Sequence, residues 1–141
     1  MKHAHIRAVM LALLVAAISF GSGHAQDSNV AAQQAAESWL ALVDGQQYPE
    51  SWRAAATLFK NAVTQQTWQR AVQTARSPLG ALKSRTVKST TSAKTLPGAP
   101  DGEYVVLQFN TTFERKALAL ETVSVVLEAD GNWRVVGYFV K

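Results

Sequence analysis

The sequence predicts an α+β domain in which N-terminal helices pack on one face of a curved four-stranded antiparallel sheet. Two observations carry this. From Gln26 to Arg76 the apolar residues recur at three and four positions, the spacing of a helix stripe. From Leu82 onward Val and Thr dominate and the period becomes two, the spacing of a half-buried strand. Helices first and turn-linked strands afterwards is an α+β order, with the helices on one sheet face.

A leader precedes the domain. Lys2 and Arg7, with His3 and His5, make a positive start, and Ala8 to Phe20 is an apolar run interrupted by Ser19. That run is about a dozen residues, against roughly 20 for a spanning helix. Gly21, Ser22 and Gly23 break it, and Gly23-His24-Ala25 places small residues where a signal peptidase accepts them. Residues 1–25 therefore read as a cleavable signal peptide and residues 26–141 as one domain. The expected location is the periplasm or the exterior, with no membrane span after cleavage. No Cys exists for lipid attachment or a disulfide, so packing alone must hold the fold. The leader takes two of the 14 basic residues and none of the 10 acidic ones, leaving a charge near +2.

In the first helix, Ala32, Ala36, Trp39, Leu40 and Val43 form the stripe. Asp27, Ser28 or Asn29 is the expected cap, and Asp44-Gly45 the expected end. A second helix starts near Pro49 and carries Trp52, Ala55, Ala56 and Phe59. A third follows Thr64 as N-cap, with Trp68, Ala71, Val72 and Ala75 on one side. Ser77-Pro78 ends it, the proline biasing Ser77 to extended geometry.

The strands are read as Leu82–Ala93, Glu103–Phe113, Leu120–Glu128 and Trp133–Val140. A Pro/Gly cluster at Leu96–Gly102, a connection at Glu114–Ala119 and the Asp130-Gly131 turn join them. Strict alternation puts Val105, Leu107, Phe109 and Phe113, then Val123, Val125 and Leu127, then Trp133, Val135 and Phe139 toward the helices. The other face then carries Tyr104, Val106, Val126, Val136, Tyr138 and Val140 beside polar residues. So many apolar groups imply a cover, either a second copy of the chain or a bent sheet enclosing a pocket.

The three histidines, His3, His5 and His24, all lie in the leader. Without His or Cys, the mature domain has no Ser-His-Asp or Cys-His catalysis, no Cys/His zinc site and no His- or Cys-ligated haem. No glycine loop cradles a phosphate, and no cofactor or metal is expected. The carboxylate pairs Asp101/Glu103, Glu114/Glu121 and Glu128/Asp130 sit beside turns and read as solvated loop charges. Thr57 with Lys60 has the spacing of a hydroxyl–lysine pair, a spacing common by chance.

Two groups remain as candidate sites. Tyr48, Trp52 and Trp68 are candidates to line an aromatic ligand pocket, with core packing as the plainer reading. Arg53 to Lys94 contains no acid, and Arg76, Lys83, Arg85 and Lys88 are its tightest basic group. Outside the cytoplasm such a patch suits anionic envelope material better than nucleic acid, and solvated faces are its plainer reading.

The chain resembles the secreted bacterial family called domain of unknown function 4019. The resemblance rests on Ala35-Ala36-Glu37-Ser38-Trp39-Leu40, Tyr48 with Ser51-Trp52, Ser77-Pro78-Leu79-Gly80, Leu96 to Tyr104, Glu121-Thr122-Val123 and Trp133 to Tyr138. That family has no assigned activity and lends no catalytic residue. More distantly the order of elements is similar to the cystatin-like and NTF2-like folds. Isomerases of that shape imply a Tyr and an Asp in an apolar pocket, and here no Asp falls on a core face. The favoured expectation is a non-catalytic binding or accessory module, self-associating through its sheet. The alternative is a small-molecule enzyme using a pocket carboxylate or tyrosine.

Overall fold

The computed structural model describes residues 22–141, with side chains from Gln26 onward. Residues 1–21, which hold the charged start and apolar run of the leader, lie outside the described residues. The described chain forms α1 (Ser22–Asp44), α2 (Tyr48–Ala54), α3 (Thr57–Ala62), α4 (Gln65–Arg76) and one 3-10 turn (Ser77–Leu79). Four strands follow: β1 (Leu82–Ala93), β2 (Tyr104–Phe113), β3 (Lys116–Leu127) and β4 (Trp133–Val140). They form one antiparallel meander in the order β1-β2-β3-β4, open at both edges, so the α+β expectation holds. Among the described residues no helix is long and apolar enough to cross a membrane.

Local chemistry explains most boundaries. Thr64 accepts the Thr67 N–H at 3.2 Å and caps α4. Pro49 lies in the first turn of α2, where its missing N–H leaves no bond unmade. Three expectations are corrected. Helix α1 passes through Asp27–Asn29 without a cap. The anticipated second helix is two short ones, because Ala55 and Ala56 turn extended and the Ala56 N–H donates to the Val135 carbonyl at 2.8 Å. Ser77 stays helical and the chain runs on into the 3-10 turn, a tighter winding that often finishes a helix.

The core lies between the helices and one sheet face. Ala32, Ala36, Trp39, Leu40 and Val43 of α1 meet Val105, Leu107, Phe109, Val123, Val125 and Val135 of the sheet. Burying each larger aliphatic side chain stabilises the fold by about 1.5–3 kcal/mol. Ser51, fully buried, organises the aromatics. Trp39 Nε1 donates to its carbonyl at 2.8 Å and Trp68 Nε1 to its Oγ at 2.9 Å. Trp39 and Trp68 pack with ring centres 5.7 Å apart, and Phe59 meets Trp68 edge-on at 5.1 Å.

Bulges decide which residues reach that core. On β4, Ser124 pairs with Gly137 while Val125 pairs with Val135, so Val136 is an extra residue. A one-residue bulge reverses the alternation beyond it. Tyr138 therefore turns to the helices, its ring 5.5 Å from that of Trp39, and Phe139 points outward with 56% of its surface exposed. Strict alternation had these two reversed, and it also put Val140 outside, whereas Val140 lies opposite the buried Glu121 on the helix side. Tyr104 is also no bare outer-face group: its ring is buried against Gly102 and its hydroxyl donates to the Pro100 carbonyl. β3 begins at Lys116, four residues before the expected Leu120. This places Glu121 well inside a strand, on the same side as Val123 and Val125.

Candidate functional site

The conspicuous chemistry is a charged cluster under the helices, built on the core face of the sheet. Glu121 of β3 is fully buried and lies opposite Phe109 of β2 and Val140 of β4. Thr111 shares that face and pairs across β2–β1 with Arg85. Asp44 ends α1 and Arg76 ends α4, so two helix ends bring one acid and one base to the sheet.

Arg85 bridges both acids. Its Nε donates to Glu121 Oε1 at 2.7 Å and its Nη2 to Glu121 Oε2 at 3.2 Å. Its Nη1 and Nη2 donate to the Asp44 carboxylate at 2.8 and 3.0 Å. Arg76 Nη2 adds a bond to Asp44 Oδ1 at 2.8 Å. Glu121 also accepts from Thr111 Oγ1 at 2.7 Å and from the Tyr138 hydroxyl. A carboxylate offers about four lone-pair directions, and Glu121 has a donor on each. Arg76 lies over the Phe113 ring at 4.6 Å, a cation–π contact.

The electrostatics follow from burial and pairing. Burial pushes the Asp44 carboxyl up, but hydrogen bonds and charge from Arg85 and Arg76 outweigh it and hold Asp44 below its ordinary value. Burial would lower the Arg85 pKa, and its two carboxylates raise it instead. Burial and the Glu121 charge push the Tyr138 phenol far above its usual range, against the opposing pull of Arg76. Tyr138 therefore stays protonated and donates. The cluster can orient and stiffen, with every lone-pair direction of its buried carboxylate already met by a donor.

The structure separates the residues singled out in the sequence. Arg76 and Arg85 belong to this buried network, while Lys83 and Lys88 are exposed. Lys83 and Lys88 are the extra residues at the two bulges of β1, so the four form no single exposed patch. Lysines and bulges on an edge strand discourage pairing with another strand. Of the aromatic trio, Trp68 is core and spends its N–H on Ser51, and half-buried Trp52 spends its own on the Val63 carbonyl at 2.8 Å. Tyr48 borders a different, polar cavity. The Thr57 and Lys60 side chains make no pair: Lys60 Nζ donates to the Arg53 carbonyl and Glu128 caps the Thr57 N–H. Glu128 and Asp130 both pair with Arg134. Glu121 is what the sequence reading passed over. Its parity with Val123, Val125 and Leu127 was the available signal, masked by starting the strand too late, which left Glu121 at the edge of a loop.

Over residues 35–138 the chain matches a family described as protein of unknown function (DUF4019). The chain belongs to this family. The match spans α1 to β4, so this DUF4019 protein carries the Asp44, Arg76, Arg85, Glu121 and Tyr138 positions within the matched region. No curated protein matches it. Among solved structures, Aln2 from a Streptomyces species, known from a 1.8 Å structure, is similar in fold. The TM-score is 0.51 at 12% identity, covering 82% of this chain and 90% of that one.

Proposed function

We propose that this DUF4019 protein is an exported, non-catalytic binding or accessory module. The observation that carries the reading is the saturation of Glu121. The one fully buried carboxylate among the described residues holds donors from Arg85, Thr111 and Tyr138, so general-base chemistry has no free lone pair there. Burial and the charge of Glu121 keep the tyrosine beside it protonated. Export rests on the leader pattern of residues 1–25, which ends in Gly23-His24-Ala25.

Self-association through the outer sheet face belongs to this reading. Leu118 and Phe139 are exposed there, with Val106, Leu120, Val126 and Val136 half-buried around them. Asn110, Gln108, Thr122 and Ser124 lie at the centre of the face, with Lys88, Arg134 and Lys141 toward its margins, so two copies would meet across an uncharged centre. Native purification from the cell envelope tests the reading, combined with intact mass and identification of co-purifying molecules. The expected result is a chain starting at Gln26 that retains its ligand unchanged, and sedimentation as a dimer that Phe139→Ser dissociates. Steady conversion of a retained molecule into a product would overturn the non-catalytic reading. A chain still starting at Met1 would overturn export.

A further inference from the structure

Beside the buried network lies a cavity of about 330 Å³, at the seam where the ends of α1 and α4 meet the β2–β3 turn. We infer that it binds a small molecule carrying a carboxylate and at least one hydrogen-bond donor, of the amino-acid or hydroxy-acid class. This deepens the binding-module reading by naming the kind of ligand. Its volume falls at the lower end of small-molecule sites, about 300–1,000 Å³.

Four features converge on it. Arg76 forms part of the wall and is under-satisfied. It makes one short bond, to Asp44, a carboxylate it shares with Arg85. Its Nη1 reaches Tyr138 only at 3.5 Å and Glu121 only at 4.0 Å, and its buried Nε has no partner. Nε is shut inside the protein, so Nη1, held only by these long contacts, is the donor left for a ligand carboxylate to complete. Arg115, an exposed residue on the same cavity, has a single long side-chain bond, to the Ser77 carbonyl at 3.3 Å. It supplies a second cation at the opening.

The remaining two features concern the walls. Gln46 holds a left-handed backbone at φ 57°, unusual for a residue with a side chain. Gly80, at φ 76°, leaves room for Glu114, whose carboxylate comes within 2.9 Å of where a Cβ would sit. Both residues border the cavity; the Gln46 conformation closes the C-terminus of α1, where the Gln47 N–H donates to the Leu42 carbonyl at 2.8 Å, and so fixes this wall. The charges on the wall balance, Arg76 and Arg115 against Asp44 and Glu114. A bare anion would face two carboxylates there. A molecule with both an acid and a donor turns the acid toward the arginines and the donor toward Glu114, and an amino acid, whose donor is an ammonium, also leaves the wall's charge balanced. Gln73 and Tyr48 add neutral hydrogen-bonding groups.

The test is calorimetric and NMR titration of the mature chain with glycine, L-glutamate and L-lactate, each beside its amide. The expected result is saturable binding of at least one acid with Kd near or below about 1 mM, weakened about tenfold or more in its amide. Arg115→Gln should weaken it by about tenfold or more, with an unchanged melting temperature because Arg115 is exposed. Glu114→Gln should weaken the amino acids more than lactate. No saturable binding of any of the acids, or full-strength binding to Arg115→Gln, overturns the site and leaves the non-catalytic reading standing. Binding accompanied by chemical conversion of the acid keeps the site and overturns the non-catalytic reading instead.

Discussion

Two arginine–carboxylate networks of similar composition sit in opposite surroundings in this molecule. The inner one joins Asp44, Arg76, Arg85 and Glu121, with side chains 17%, 6%, 11% and 0% exposed. The outer one joins Arg134 to Glu128 and Asp130 on the β3–β4 hairpin, at 2.8 Å to each. Bond lengths barely distinguish them, and solvent does. Around Arg134 water can replace any partner, so losing one costs little. Around Arg85 solvent does not reach Glu121, and a broken pair strands that charge in the interior. Their architecture differs as well. The outer network joins residues within one hairpin, whereas the inner one ties α1 and α4 to β1, β3 and β4.

The largest expected effect is from Arg85→Met, which leaves Asp44 and Glu121 sharing only Arg76. It should destabilise by about 3–5 kcal/mol in chemical denaturation. Adding Glu121→Met restores charge balance around the remaining Asp44–Arg76 pair and should recover part of that loss, since the Thr111 and Tyr138 hydroxyls then lack their acceptor. A single variant as stable as the parent would show that the inner network does not hold helices to sheet.

The pH dependence should be smaller. Asp44 has its folded pKa held below the ordinary 3.8, so its stabilisation is complete above that value and is lost as pH falls through the folded pKa. Acid unfolding should steepen below pH 3.8, and Asp44→Asn should remove that part of the slope. Tyr138 works in the other direction. Its folded pKa lies above the ordinary 10.0, so its contribution is complete below pH 10.0 and declines as pH rises beyond it. Tyr138→Phe should flatten the alkaline limb of the stability–pH curve.

Thr64→Ala supplies a ruler between the two networks. It removes the α4 cap and should cost about 1 kcal/mol without touching either network. The smallest effect is expected from Arg134→Gln, a change in melting temperature below that of the cap variant and erased by concentrated salt. Hydrogen bonds from Arg134 and Asn132 hold Asp130 well below the usual carboxylate range, yet the group remains in water. A loss from Arg134→Gln as large as that from Arg85→Met would break the contrast between the networks.

Legibility from the sequence followed the range of the interactions. Thr64, Pro49 and the Asp130-Gly131 turn act on neighbours a few residues away, and they stand where the sequence put them. β1 and β4 match their expected bounds for the same reason, since alternation and turn residues are local. The inner network was not legible. Its hydrogen bonds join residues 32, 36 and 41 apart, and the sequence between them shows no mark of the contact. Read along the chain, Arg76 and Arg85 are members of a basic run, and only the approach of Asp44 and Glu121 makes them interior groups.

From its own residues the chain determined the order of helices and strands, the lack of His and Cys after residue 25, and the apolar stripe of α1; of the α4 stripe only Trp68 and Val72 are buried, Ala71 and Ala75 being exposed. Tertiary structure alone decided that Val136 bulges, that Tyr138 faces inward while Phe139 faces out, and that four charges close on one another beneath the helices. The physical reason is that periodicity and capping are settled within a few residues. A bulge is settled by the hydrogen-bond ladder between two strands, and a buried charge is tolerated only where distant partners arrive together.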